Sequence, residues 1–134
     1  MTELPESLSV IRWSEDGLVP AIVQDAESGE VLMLAWMNRP ALLATLKTGQ
    51  THFYSRSRRS LWHKGGTSGH VQELVELRVD CDADVLLLRV RQNGGACHEG
   101  YRSCFFRKLD DRHTLEITSR PVFDPTSVYR QPGT

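Results

Sequence analysis

The chain has 134 residues, 40% of them hydrophobic, and its 16 Lys and Arg against 17 Asp and Glu leave a formal charge of −1. That length supports one domain with a core between two packed layers, and the near-neutral balance excludes a global field suited to nucleic acid or a membrane surface. No apolar run reaches the length of a spanning helix, and three cysteines are too few for a disulfide scaffold.

The start, Met1-Thr2-Glu3-Leu4-Pro5-Glu6, is acidic and lacks the apolar stretch of a signal peptide. An odd number of thiols fits a reducing compartment, so the expected location is the cytoplasm. Leu18 to Gln24 reads as a strand closed by the turn Glu27-Ser28-Gly29-Glu30, and Val31 to Met37 reads as its hairpin partner. Asn38 is a good N-cap, Pro40 is tolerated in the first turn, Ala41 to Leu46 fill a short helix, and Gly49 stops it. Thr51 to Ser55 and the stretch around Leu61-Trp62 have strand propensity.

Further on, Val75, Leu77, Val79 and Cys81 alternate with Glu76, Arg78, Asp80 and Asp82, the period of a half-buried strand. This places Cys81 in the core-facing row and the carboxylates on the opposite face. Asp84 to Arg91 reads as a more buried strand, Asn93-Gly94-Gly95 as a turn, and Tyr101 to Arg107 as another strand. The expected fold is α+β, mainly antiparallel strands with one or two short helices. It forms a single domain over residues 1–134, with its core at about 18–107 and residues 119–134, which hold Pro121, Pro125 and Pro132, as a C-terminal arm or tail.

Charge is uneven within this balance. The first thirty residues carry seven acids and one base, Arg12, whereas Gln50 to Gln72 holds no acid but has Arg56, Arg58, Arg59 and Lys64 with His52, His63 and His70. A local basic stretch in a neutral protein points to a small anionic ligand, the alternative being a solvated face. Within it, glycines, the hydroxyls of Thr67 and Ser68, and flanking Arg and Lys suit phosphate, although the P-loop pattern is absent. Trp62 could stack on a base or sugar, or fill the core.

Three groups carry metal or acid–base chemistry. Cys81, Cys97 and Cys104 can supply three legs of a tetrahedral zinc site with the fourth open to water; their spacing matches no finger or ribbon, and three buried thiols are the plainer reading. Asp80, Asp82 and Asp84 repel one another unless a cation offsets them, and oxygen ligands suit magnesium; an EF-hand fails because Val85 and Arg91 stand where Gly and Glu are required. His98, next to Cys97, reads as a general base, a fourth zinc ligand or a surface histidine.

Together these segments resemble the phosphoribosyl-AMP cyclohydrolase family of histidine biosynthesis. The resemblance rests on Ser55-Arg56-Ser57-Arg58, Leu61-Trp62-His63-Lys64-Gly65, Thr67-Ser68-Gly69-His70, Asp80-Cys81-Asp82-Ala83-Asp84, Ala96-Cys97-His98 and Ser103-Cys104-Phe105, in the family's order. It implies an enzyme that opens the adenine ring of a phosphoribosyl nucleotide at N1–C6, with zinc on Cys81, Cys97 and Cys104 and magnesium on Asp80, Asp82 and Asp84. It also implies an intertwined homodimer whose zinc ligands cross the interface, with a small nucleotide as substrate and no nucleic acid or membrane partner. His98 is the candidate base, while Arg56, Arg58, Trp62, Lys64, Thr67 and Ser68 are the candidate substrate contacts. Two departures stand out: relatives commonly have Glu where Gly66 stands and Thr where Glu99 stands. A zinc deaminase is the nearest rival chemistry, but its H-x-E…P-C-x-x-C signature is missing. A metal-stabilised RNA-binding module is the rival of a different class, and it requires a closed zinc site and salt-sensitive affinity.

Overall fold

The structure, a computed structural model, describes residues 1–129. The last part of the expected tail, residues 130–134 with Pro132, lies outside the described residues.

Strict alternation shapes the first strand. In β1 (Val19–Asp25), Val19, Ala21, Val23 and Asp25 are buried and the residues between them half-buried. β1 pairs antiparallel with β2 (Val31–Met37), as the hairpin reading expected, with a bulge at Val23/Gln24. The helix that follows, α1 (Arg39–Thr48), has both its expected caps. The Ala41 N–H donates to Asn38 Oδ1 at 2.9 Å, and Gly49 ends the helix at φ 77, a left-handed conformation that costs glycine little.

β3 (His52–Ser55) and β4 (Ser60–His63) form a second hairpin, and β5 (Gln72–Val79) and β6 (Leu86–Gln92) a third. The six strands join one sheet in the order β4-β3-β2-β1-β6-β5, antiparallel except for the parallel β1–β6 pair. Its two ends approach each other: Gln50 bridges Glu73, the Thr51 N–H donates to the Gln72 carbonyl at 3.1 Å, and the Leu74 N–H to the Gly49 carbonyl at 2.8 Å. The sheet therefore curls around a core of Val19, Leu32, Met37, Leu42, Phe53 and Leu88, each wholly or almost wholly buried. Truncating Phe53 to alanine would cost about 3–5 kcal/mol, combining lost transfer energy with a cavity that the sheet cannot collapse.

Smaller elements lie outside this sheet. A 3-10 helix runs Glu6–Val10, a two-stranded ribbon joins β7 (Arg107–Leu109) to β8 (Leu115–Ile117), and α2 spans Pro125–Tyr129. The described part of the tail is tied down by the Val122 N–H, which donates to the Gly100 carbonyl at 2.7 Å, and by Phe123, whose ring meets His70 edge-on at 4.4 Å.

Two strand readings need correction. The alternating row does not reach Cys81: a bulge between Leu74 and Glu76 leaves Val75 exposed, Leu74, Leu77 and Val79 pack on the core, and the strand ends at Val79. Asp80 to Asp84 instead form a turn in which Ala83 has φ 60, so Cys81 is exposed. The second correction concerns Tyr101 to Phe106, which are irregular. Their backbone groups bond to the preceding loop and to β2 rather than to a ladder: Ala96 N–H to Arg102 O at 2.9 Å, Cys97 N–H to Tyr101 O at 3.0 Å and Cys104 N–H to Leu32 O at 2.7 Å.

Candidate active site

The loop between β6 and β7 brings two of the three cysteines together. A tight turn, with the Gly100 N–H donating to the Cys97 carbonyl at 3.1 Å, folds the chain back so that the thiols of Cys97 and Cys104 lie within hydrogen-bond reach of each other. Cys97 is buried, and its Sγ accepts from the Glu99 N–H at 3.4 Å. Cys104 is exposed as a residue, yet its sulfur is packed. Desolvation pushes its pKa up to about 11, the adjacent Cys97 adds to the shift, and Lys64 opposes it.

Lys64 reaches this pair from the end of β4. Its N–H donates to the Thr51 carbonyl at 3.0 Å, and its Nζ donates to the Ala96 carbonyl at 2.5 Å. Burial holds its pKa below the ordinary lysine value, while Cys104 and Cys97 draw it upward. Its charge works against the rise at Cys104, in the direction of the thiolate, which is the metal-binding form. His98 is exposed beside buried Cys97.

Cys81 does not join the pair. Among the described residues the one cluster of three or more side chains able to hold a metal is Asp80, Asp82 and Asp84, whose carboxylate oxygens lie within 4.8 Å of one another. Partial desolvation works against the Asp80 anion, but the Asp84 and Val85 N–H groups donate to its Oδ1 at 2.9 and 3.1 Å, and the net effect holds its carboxyl below the usual range. For Asp84, desolvation and then the neighbouring Asp80 charge push the pKa up. Three crowded acids of this kind fit a hard divalent cation.

The basic stretch divides between two places. Arg56, Arg58 and Trp62 line a hollow of about 630 Å³ together with Trp36 and Tyr54. The Arg56 guanidinium lies 4.4 Å over the Trp36 ring, a cation–π contact that presents its charge at the hollow. Trp62 packs on the core through Phe53, 5.1 Å between ring centres, as the core-filling reading expected, and it also lines the hollow. Its ring also lies 5.8 Å from the Lys64 Nζ, so one side chain contacts both the hollow and the lysine that serves the thiol pair. Trp36 and Tyr54 went unnoticed in the sequence; their cross-strand pairing in the β2–β3 register was the available signal.

Thr67 and Ser68 belong to the glycine-rich loop after β4 and do not line the hollow. Here the Ser68 hydroxyl accepts from the His70 N–H at 3.1 Å. Gly65 is required at the loop's base, because a Cβ there would lie 2.4 Å from the Val71 nitrogen and its φ is 84.

Paired thiols with a half-buried lysine beside them, and an aromatic hollow set with arginines, are features this α+β domain shares with enzymes. The family model for phosphoribosyl-AMP cyclohydrolase matches residues 33–106, more than half of the chain. Curated relatives named phosphoribosyl-AMP cyclohydrolase include one from Alkalilimnicola ehrlichii, 57% identical over 96% of this chain and 90% of its own. Another from Nitratidesulfovibrio vulgaris is 62% identical over 85% and 90%, and one from Haloquadratum walsbyi 60% over 89% and 87%. The chain belongs to the phosphoribosyl-AMP cyclohydrolase family. Among the described residues no helix is long and apolar enough to cross a membrane.

Proposed function

We propose that this enzyme hydrolyses the N1–C6 bond of 1-(5-phosphoribosyl)-AMP in histidine biosynthesis, in the cytoplasm, as a zinc-dependent homodimer. The observation that carries the proposal is Trp62, which lines the hollow bearing Arg56 and Arg58 and lies 5.8 Å from the Nζ of Lys64, the cation that acts on Cys97 and Cys104. Family membership supplies the substrate.

Zinc would be held by Cys97 and Cys104 of one chain and Cys81 of the partner subunit, and it would supply water acidification, from a pKa of about 15.7 towards roughly 7–9. Two observations support an arrangement that crosses subunits: Cys81 stands apart from the other two thiols within the chain, and the β7–β8 ribbon is exposed throughout, with Leu109, Leu115 and Ile117 each more than half accessible. Asp80, Asp82 and Asp84 would hold magnesium.

The chain's own groups perform the remaining tasks. Arg56 and Arg58 bind the phosphate-bearing ends by charge-assisted hydrogen bonds, while the Trp36 and Trp62 faces pack on ring or sugar. Lys64 offsets the negative charge of the thiol pair. Thr67 and Ser68, on the glycine-rich loop outside the hollow, would offer hydroxyls to a phosphate-bearing end that extends beyond it. Phosphoribosylation at N1 leaves the purine cationic and its C6 electrophilic, so water adds there. His98 takes a proton from that water at its imidazole nitrogen and returns it to N1 as the N1–C6 bond breaks. The water oxygen remains on C6 as the carboxamide oxygen, the amino nitrogen keeps its two hydrogens, and the second water proton leaves to solvent with the substrate's positive charge, so atoms and charge balance.

The test is ultraviolet absorbance of phosphoribosyl-AMP with zinc-loaded protein beside a chelator-stripped sample. Conversion of the adenine spectrum to that of an imidazole carboxamide, in the loaded sample alone and without ammonia release, is the expected result. An unchanged spectrum with folded, zinc-replete protein would defeat the proposal.

A further inference from the structure

We propose that Gln72, Gln92 and Asn93 form a positioning clamp that locks the glycine-rich loop, residues 65–70, against the loop that carries Cys97 and His98. The clamp begins at Gln72, a fully buried side chain in the curled sheet. Its Oε1 accepts from the Thr51 hydroxyl at 2.8 Å, and its Nε2 donates to Gln92 Oε1 at 2.8 Å. Gln92 passes the chain onward, since its Nε2 donates to the carbonyls of His70, at 3.2 Å, and Asn93, at 2.9 Å. Asn93 closes it: its N–H donates to the Val71 carbonyl at 3.0 Å, and its Nδ2 to the Gly69 carbonyl at 3.3 Å.

The same network references Lys64, because Thr51, whose hydroxyl starts the amide chain, also accepts the Lys64 N–H on its carbonyl. Gly94 completes the contact between the loops, since a Cβ on it would lie 2.5 Å from His70 Cδ2. An amide relay in this place is a demanding choice. Apolar side chains would fill the volume with no donors to satisfy, whereas a half-satisfied buried amide is costly. What the relay provides that apolar packing does not is direction: Gln72 and Gln92 each place both Nε2 hydrogens on acceptors, Asn93 places one on Gly69, and that arrangement sets the register of the two loops. These three side chains act on the reaction by placing other groups, and a displacement of about 1 Å at such groups costs up to about 10²-fold in rate.

Gln72 is too buried to be a safe first target, so the test uses Gln92→Glu, which keeps an acceptor for Gln72 Nε2 but sets a carboxylate against the His70 and Asn93 carbonyls. Asn93→Ala, which cuts the side-chain contact to Gly69, is its companion. Hydrogen exchange of the intact protein is read first. Amide exchange in residues 65–70 and 93–100 should rise about tenfold or more in both variants, with β1 and β2 unchanged. Unchanged loop exchange, or a uniform rise across the sheet, overturns the clamp. The kinetic arm rests on the function proposed above: kcat for ring opening should fall at least about tenfold, with KM within about threefold and zinc content intact. Variants with normal kcat overturn the clamp alone. Wild-type protein without turnover overturns the functional reading, while the exchange result still decides the clamp.

Discussion

The ammonium of Lys64 donates to the carbonyl oxygen of Ala96, the residue before Cys97 and 32 positions along the chain. That bond ties the end of β4 to the thiol loop and puts a positive charge where two sulfurs meet. Lys64→Met should therefore remove a counter-charge and strand the Ala96 carbonyl, which is almost wholly buried. The expected result is a stability loss of about 1–3 kcal/mol by urea titration, with activity reduced well beyond the unfolded fraction. Full activity in folded Lys64→Met would remove Lys64 from the site.

The raised pKa of Cys104 makes stability depend on alkaline pH in metal-free protein. Its thiol ionises at about 11 in the folded chain against 9.0 ordinarily, because burial and then Cys97 disfavour the anion. The folded state thus keeps a proton that the unfolded state loses, so this contribution is complete below pH 9 and drains away as pH rises through 11. Denaturation midpoints of chelator-stripped protein should fall over that window, and Cys104→Ser should flatten the fall.

Subunit mixing tests the shared zinc site. Cys81→Ser and Cys97→Ser should each be inactive and zinc-poor alone. Refolded together they should regain about a quarter of wild-type activity, because half the molecules are mixed dimers with one intact site of two. No recovery, with mixed dimers shown by mass spectrometry, would place the three thiols in one chain.

The hollow and the candidate base should separate in the kinetics. Arg56→Ala loses both a phosphate contact and the cation–π pairing with Trp36, so KM should rise about tenfold or more with a smaller change in kcat. His98→Ala should lower kcat about 10²-fold or more while zinc stays bound. Zinc loss in that variant would make His98 a ligand.

At the acidic turn, where desolvation and then the Asp80 charge raise Asp84, magnesium should offset the repulsion among the carboxylates. Added magnesium should raise the melting temperature of the wild type, and Asp82→Asn should weaken that response without unfolding the exposed turn. Equal responses would show that the ion binds elsewhere.

Most of the fold was legible before the structure. The β1–β2 hairpin, the capped α1 and the β3–β4 pair depend on neighbours in sequence, and alternation, an Asn cap and a terminal glycine report such local preferences directly. The row through Cys81 misled because alternation assumes an unbroken register. The bulge at Leu74/Glu76 shifts it, and the Asp80 carboxylate draws the chain into a turn by accepting two backbone N–H groups. Tyr101 to Phe106 had strand-like composition, but their hydrogen bonds go to Leu32 and to the Ala96–Cys97 loop, partners no local pattern can name.

The sequence by itself determined the residue types of the site: three thiols, three alternating aspartates and a basic, glycine-rich stretch, in an order specific enough to indicate the family. Which of them act together was decided only by the tertiary structure. Closure of the curled sheet brings Lys64 to the loop that carries Cys97, and the turn at Gly100 pairs Cys97 with Cys104 while Cys81 stays apart. The physical reason is that the bonds making these groupings span tens of residues, and their partners are chosen by packing and by the need to satisfy buried polar groups, not by local propensity.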